Sequence, residues 1–489
     1  MGGLVNHFIR HYLLGRMLSA RGHDVQFLFA DRVLPIDEQT DESNYFNLSK
    51  IVNYYVIFGK RLFEAAGVEV INLSDLLSDD QISIFDSELN TDKWDVYVDT
   101  MYLRYFKVGI IDKKSDRYLN FLSKGRHAAI ISEAVGNALV KMNPDRVMIT
   151  HGSYTTKGPA KDILKEAGIP IVSQGWGRIA RSQKFNWGVS SDSWKVDQEW
   201  EKVKDIPLNE EQISVINNYT DSRRNHKNDA YIYNHSPEEA AGVVFDRLGL
   251  NSNKPVYSMF TNLIWDACSA QKEIAFSNVS EWIYETIEWF CDRAEKQLII
   301  KTHPAEAQFG TNQSVKGLIE KKFPNLPENI KIIPADTDIN SWSVINITNI
   351  GIVHTSTVGL ELALEGLPCL CVSDTYYRQK GFTVDVKNKK EYFEILEGNN
   401  FEFDKEQVKI MARRFAYVMF IRGQIPMDYY EPNVGYSARY FKDLDFQKIV
   451  DSKIMKEIIE SIEEKRDIVM SNELVIELYG KKPKIVQPA

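Results

Sequence analysis

The chain alternates short, continuous apolar runs with stretches of helical periodicity, and it does so in two separate series. In the first series, apolar positions recur at helical spacing over residues 4–21, with Gly22 as a plausible C-cap. Strands are then expected at Val25–Ala30, Val68–Ile71, Val96–Val98, Arg146–Thr150 and Ile169–Val172. A helix over about 126–142 precedes the fourth of these. The second series gives strands at Val256–Phe260, Leu298–Ile300, Ile330–Ile333, Ile350–Val353 and Cys369–Val372. Its helices fall at 279–294, where Trp282, Ile283, Ile287, Phe290 and Cys291 share one stripe, and at about 357–365. Apolar runs without polar alternation are buried on both faces, which a parallel sheet flanked by helices provides. The expectation is therefore α/β: two doubly wound, Rossmann-like domains. The polar stretch at about 200–235 (with DSRRNHKNDAYIYN) separates them, and a charged helical tail follows. The expected divisions are 1–225, 226–405 and a tail 406–489 that crosses back onto the first domain. Such domains usually open on a strand, so a first strand is expected to be missing before Met1.

With 489 residues, one hydrophobic core is insufficient and two or three domains are required. A net charge of −9 argues against a nucleic-acid partner, since phosphate neutralisation needs a basic face. The four cysteines are too few and too scattered for a zinc site or a disulfide framework. Cys369 and Cys371 alternate in an apolar run and read as small hydrophobes on one strand face. With no apolar run near ~18–20 residues, no membrane span is expected. A cytoplasmic protein is the simplest reading, with a possible station at the inner face of the membrane.

Ligands of doubly wound sheets bind beyond the carboxyl ends of the strands. Four strand ends carry chemistry. Ile299-Ile300 runs into Lys301-Thr302-His303-Pro304-Ala305-Glu306, where Lys301 and His303 offer donors to a phosphate and Pro304 fixes the backbone. Ile350–Val353 runs into His354-Thr355-Ser356-Thr357-Val358-Gly359-Leu360-Glu361. There Ser356 or Thr357 caps a helix start that suits an anion, Gly359 permits close approach, and Glu361 can accept from a ribose diol. Phe260 runs into Thr261-Asn262-Leu263-Ile264-Trp265-Asp266, with Asn262 and Trp265 as contacts to a base or sugar. In the first domain, Ile149-Thr150 runs into His151-Gly152-Ser153-Tyr154-Thr155-Thr156-Lys157-Gly158-Pro159. His151 is a candidate general base for an acceptor hydroxyl, with Ser153, Tyr154 and Lys157 on the acceptor side. Asp99, after Val96–Val98, is its rival, and Asp31 a weaker one. Each loop also has a plain structural explanation: a turn, a helix cap or a satisfied histidine. Asp336-Thr337-Asp338 matches a metal-holding Asp-x-Asp pattern, but it reads as a loop and helix cap, which predicts no essential metal.

Taken in order, these motifs resemble the capsule polysaccharide biosynthesis group of GT-B glycosyltransferases. The carriers are Asn262-x-x-Trp265-Asp266, Glu281-Trp282, Lys301-x-His303-Pro304-x-Glu306 and Ser356-Thr357-Val358-Gly359-Leu360-Glu361. Gly366-x-Pro368 and Tyr377-Arg378-x-Lys380-Gly381-Phe382-Thr383 follow, and His151-Gly152 and Gly158-Pro159 extend the likeness into the first domain. The resemblance is specific across about 255–385. It implies a GT-B fold with two domains facing a cleft and donor binding in the second domain. It also implies transfer of a nucleotide-activated sugar to a glycan or lipid-linked glycan acceptor, with envelope-assembly partners in reach. The His-Pro and Ser-Thr pairs look like those of bacterial sialic-acid and Kdo transferases, which implies a CMP-sugar on His303, Pro304, Ser356 and Thr357. No clear acidic base motif of those transferases stands here, so UDP- and GDP-sugars remain open. So do a nucleotide-sugar 2-epimerase, a glycerol-phosphate polymerase and an inactive glycan-binding scaffold.

Overall fold

The computed structural model describes residues 2–31, 33–36, 60–61, 63–64, 67–82, 92–225, 227, 236–267, 269–398, 403–427 and 446–480. Cys268, most of the polar stretch beyond 225 and the tail segments 428–445 and 481–489 lie outside the described residues. The strands are β1 Gln26–Phe29, β2 Glu69–Asn72, β3 Val147–Thr150, β4 Ile171–Trp176, β5 Ser182–Trp187 and β6 Val256–Phe260. They continue with β7 Gln297–Lys301, β8 Ile330–Ile333, β9 Ile350–Val353, β10 Cys369–Cys371, β11 Val384–Asp385 and β12 Ile425–Pro426. Two compact units result. Unit 1 comprises 1–106, 111–199 and 422–477, and unit 2 comprises 107–110, 200–421 and 478–489.

In unit 1, β1 pairs with β2 in parallel, Phe27 opposite Val70. A second sheet has the order β12-β5-β4-β3. Only its β3–β4 pair is parallel; β5 and β12 run antiparallel to their neighbours. The wholly parallel sheet expected from the alternation is therefore not what this unit builds. The link from β4 to β5 spans only residues 177–181, too short for the crossover that parallel pairing requires.

The expected strand Val96–Val98 is instead part of a helix, Asp95–Phe106. Its buried residues Tyr97, Val98, Met101, Tyr102 and Phe106 recur every three to four positions. That spacing outweighs the strand preference of a Val-Tyr-Val triplet. The helix is tied to the long helix Asp116–Met142 by a fork of Arg126 on Asp95, at 2.7 and 2.6 Å.

Unit 2 holds a six-stranded sheet in the order β11-β10-β9-β6-β7-β8, every pair parallel. Its central strands are buried on both faces. The apolar stripe of helix Val279–Cys291 covers one side, with Trp282, Ile287 and Phe290 fully buried beside Met259, Leu298, Ile300, Ile352 and Leu370. Asn278 caps this helix by accepting from the Glu281 amide at 2.8 Å. Cys369 and Cys371 are buried in β10, as small hydrophobes would be.

The units also divide the chain elsewhere than at 225 and 405. The polar stretch contains a helix, Glu210–Arg224, opened by a capping box of Asn209 and Gln212. Its last turn is anchored within unit 2: Arg223 pairs with Glu361, and Arg224 pairs with Glu365 at 2.5 Å and lies over Trp342. Helix Lys405–Ala416 stays with unit 2 as well, burying Val408, Ala412 and Phe415. From Arg422 to Glu477 the chain belongs to unit 1, where Arg422 pairs with Glu199 at 2.6 Å and donates to the Met470 carbonyl at 2.7 Å.

Candidate functional site

In order of appearance, the strands of unit 2 run 6-5-4-1-2-3 across the sheet. That is a doubly wound order, and the crevice of such a sheet opens where the winding reverses, between β6 and β9. Phe260, Lys301 and Val353 stand in register at the carboxyl edge of β6, β7 and β9. Beyond them the Thr355 amide donates to Asn262 Oδ1 at 3.1 Å, joining the two loops that flank the reversal. Asn262 thus orients the β9 loop rather than pointing its acceptor outward.

Lys301, the last residue of β7, is 2% exposed, and its ammonium has no hydrogen-bond partner among the described residues. Burial lowers its pKa from 10.5 to about 8. His303 follows, and the Ala305 amide donates to its Nδ1 at 3.2 Å. This places the proton of the neutral ring on Nε2, a donor suited to a phosphate oxygen. Pro304 stands at the N-cap position of the short helix Ala305–Phe309, with no side-chain capping bond. Glu306 is buried, its carboxyl raised by burial to about 7, and it accepts from the Val315 amide at 3.3 and 3.4 Å. Trp265 is buried with its indole N–H donating to Thr311 at 2.9 Å, so it packs the loop.

After β9, Ser356 accepts from the Val358 amide at 3.4 Å, and Thr357 accepts from the Tyr376 hydroxyl at 3.3 Å. Sequence reasoning left two residues out of the site: Thr355, whose buried hydroxyl has no partner among the described residues, and Thr375, whose hydroxyl is buried beside Tyr377. Both stand within four residues of a strand end, the one signal that marks them. His354 is buried with its imidazole lowered by desolvation to about 3, so the ring is neutral, and its Nδ1 has no partner among the described residues.

Two readings of this loop change. Gly359 gives room to Tyr377 rather than to a ligand: a Cβ there would lie 2.2 Å from the Tyr377 hydroxyl, which donates to the Ser356 carbonyl at 2.5 Å. Gly359→Ala is therefore expected to destabilise the protein by about 1–3 kcal/mol, read as a fall in thermal midpoint. Glu361 faces Arg223 and is 6% exposed, so its carboxylate is already committed.

Unit 1 carries the other predicted residues. His151 follows β3 in the left-handed region, φ +57°, a conformation rare for a side chain of this size. Its Nδ1 lies 3.5 Å from Ser191 Oγ. Ser153 donates to Asp192 at 2.8 Å, Tyr154 is buried, and Lys157 precedes the helix Gly158–Glu166. Asp99 does not stand at a strand end. It lies in helix Asp95–Phe106, paired with Lys113 at 2.7 Å and accepting from the Tyr118 hydroxyl at 2.7 Å, which answers its charge structurally. Asp31 accepts from the amide and hydroxyl of Ser74. Asp338 pairs with Arg247 at 2.5 Å. Among the described residues, no group of three or more His, Cys, Asp or Glu side chains is placed to hold a metal ion, and no helix is long and apolar enough to cross a membrane.

Strand order and pairing together define unit 2 as a doubly wound α/β domain whose winding reverses between β6 and β9. Residues 218–424 match the model of the family described as capsule polysaccharide biosynthesis protein, so the resemblance drawn from the motifs at 255–385 holds across that segment. No curated protein matches the chain. Among solved structures, it is similar to a KpsC beta Kdo 2,4 transferase of Thermosulfurimonas dismutans at 14% identity and a TM-score of 0.37, over 56% of this chain and 80% of that one. A KpsC beta Kdo 2,7 transferase of the same organism matches at 12% identity and a TM-score of 0.34, over 59% and 81%. The UDP-GlcNAc 2-epimerase of Neisseria meningitidis matches at 11% identity and a TM-score of 0.23, over 79% and 93%.

Proposed function

We propose that the protein is a glycosyltransferase of capsule or related surface-glycan synthesis. In this reading it takes a nucleotide-activated sugar at the carboxyl ends of β6, β7 and β9 and moves the sugar to a glycan or lipid-linked glycan acceptor. The observation that carries the reading is Lys301, a buried ammonium at the edge of the crevice without a partner among the described residues. A buried cation is costly unless an anion meets it. A diphosphate or phosphodiester supplies that anion, and preorganised donors then stabilise the charge on the leaving phosphate. Lys301, His303 Nε2, Thr355 and Thr375 are the donors, with no metal needed for this role. A CMP-sugar is the favoured donor on the His303-Pro304 and Ser356-Thr357 pairs. His151 in unit 1 serves as base for the acceptor hydroxyl, and Ser153, Tyr154 and Lys157 shape its surroundings.

Calorimetric titration with CMP, CDP, UDP and GDP tests this. The expected result is selective binding of CMP, weakened at least tenfold by His303→Ala, since a hydrogen bond to a charged group contributes about 1.5–3 kcal/mol. Preference for UDP or GDP would keep the transferase and change the donor. Absence of binding by all four would remove the reading.

A further inference from the structure

Unit 1 contains a cavity of about 270 Å³ lined by Pro35, Ile36, Tyr105, Phe106, Arg117, Asn120, Phe121 and Lys124. Its composition is sharply divided. Ile36, Phe106 and Phe121 are buried and form an apolar floor, with the Phe106 and Phe121 rings 5.5 Å apart and Tyr105 5.4 Å from Phe121. Arg117, Asn120 and Lys124 are exposed. They recur at three- and four-residue steps along helix Asp116–Met142 and so stand in a row along one rim. The Arg117 guanidinium lies 5.2 Å from the Phe106 ring centre, held over the aromatic wall rather than extended into solvent. Among the described residues, none that lines the cavity is acidic, in a chain whose net charge is −9.

We propose that this cavity is an acceptor subsite for an acidic sugar unit, a pyranose bearing a carboxylate. The inference rests on the transferase reading and deepens it by giving the acceptor its chemical class. A free phosphate would leave the aromatic floor uncovered, and a lipid chain would gain nothing from the cationic rim. A sugar acid uses both. The C–H face of its ring buries against Tyr105, Phe106 and Phe121, as apolar surface does generally. Its planar carboxylate matches the Arg117 fork, with Lys124 adding charge and Asn120 a neutral hydrogen-bonding group. The pairing of apolar walls with a few convergent polar groups is the ordinary build of a small-molecule site.

The test is calorimetry of the full chain with oligogalacturonate and oligosialate, each beside its carboxyl-reduced form, on the wild type and on R117A/K124A. At least one acidic oligosaccharide is expected to bind about tenfold or more tighter than its reduced form, an increment of one good charge-assisted contact. The double variant is expected to lose that preference while keeping its thermal midpoint and its CMP affinity. Tyr105→Ala should weaken the acidic and reduced forms alike. Equal binding of the two forms, no binding of either acid, undiminished binding by R117A/K124A, or inorganic phosphate binding as tightly as the oligosaccharide would each overturn the subsite. Loss of nucleotide binding in the wild type strikes the transferase reading instead, and the oligosaccharide titration reads the cavity independently of it.

Discussion

Lys301→Met is expected to abolish nucleotide binding and, at the same time, to raise the thermal midpoint of the unliganded protein. The two effects have one origin. Lys301 is held in a site where burial lowers its pKa from 10.5 to about 8, so at pH 7 the fold keeps a proton on it at a cost. A shift of this size corresponds to roughly 3–4 kcal/mol of strain on the charged form. Methionine has nearly the same shape and no charge to desolvate. The sign with pH follows. Between about 8 and 10.5 the unfolded chain binds more protons at this position than the folded one, so wild-type stability should rise through that window, and the Met variant should lack this rise. Ligand affinity moves the other way. An anion needs Lys301 charged and Glu306, raised to about 7, uncharged, so CMP should bind progressively more weakly as pH climbs from 6 to 9. Thermal melts and calorimetry across that range read both. A Met variant that is less stable than the wild type would make Lys301 a structural residue and end the argument.

The second large effect is expected at the Arg223–Glu361 pair. Both side chains are mostly buried, 16% and 8% exposed. Arg223→Ala leaves a carboxylate inside the domain without its cation, which should lower stability by about 3–5 kcal/mol. Glu361→Gln should be similarly damaging, and Arg223→Leu/Glu361→Leu should recover much of the loss, because neither charge is then stranded. Chemical denaturation of the four proteins measures this. The same set decides between two roles for Glu361. A residue that grips a ribose would, when changed to Gln, weaken nucleotide binding and leave the unliganded melt untouched.

What the sequence made legible was the strand ends of unit 2. Runs such as Leu298–Ile300 and Ile350–Val353 are apolar because both faces are covered, and the first polar residues after them are the ones at the crevice. Unit 1 was harder to read for physical reasons. β5 is Ser182-Gln183-Lys184-Phe185-Asn186-Trp187, a buried strand made mostly of polar residues, which hydrophobic patterning cannot detect. Val96-Tyr97-Val98 misled because three residues are too few to distinguish a period of two from one of 3.6, while the wider spacing through Phe106 decided for helix. The partners of Glu361 and Gly359 were beyond reach altogether. Arg223 lies 138 positions from Glu361, and only folding shows that the space at Gly359 is filled by Tyr377.

The path of the chain between its units bears on how the protein is made. Most of unit 1 precedes unit 2 in the chain, yet its sheet edge β12, its buried Arg422–Glu199 pair and the helix Lys453–Glu463 that receives Arg146 all come from 422–477. Unit 2 takes nearly all of its chain from 200–421. Domains on the ribosome ordinarily complete from the N-terminus onward. Here the order is inverted: the second unit can close while the first still waits, its unfinished sheet edge exposed, for residues 422–477 to emerge. Nascent unit 1 is accordingly the part of this protein most in need of a chaperone, and a stop codon near 421 would spoil the half of the molecule farthest from it in sequence.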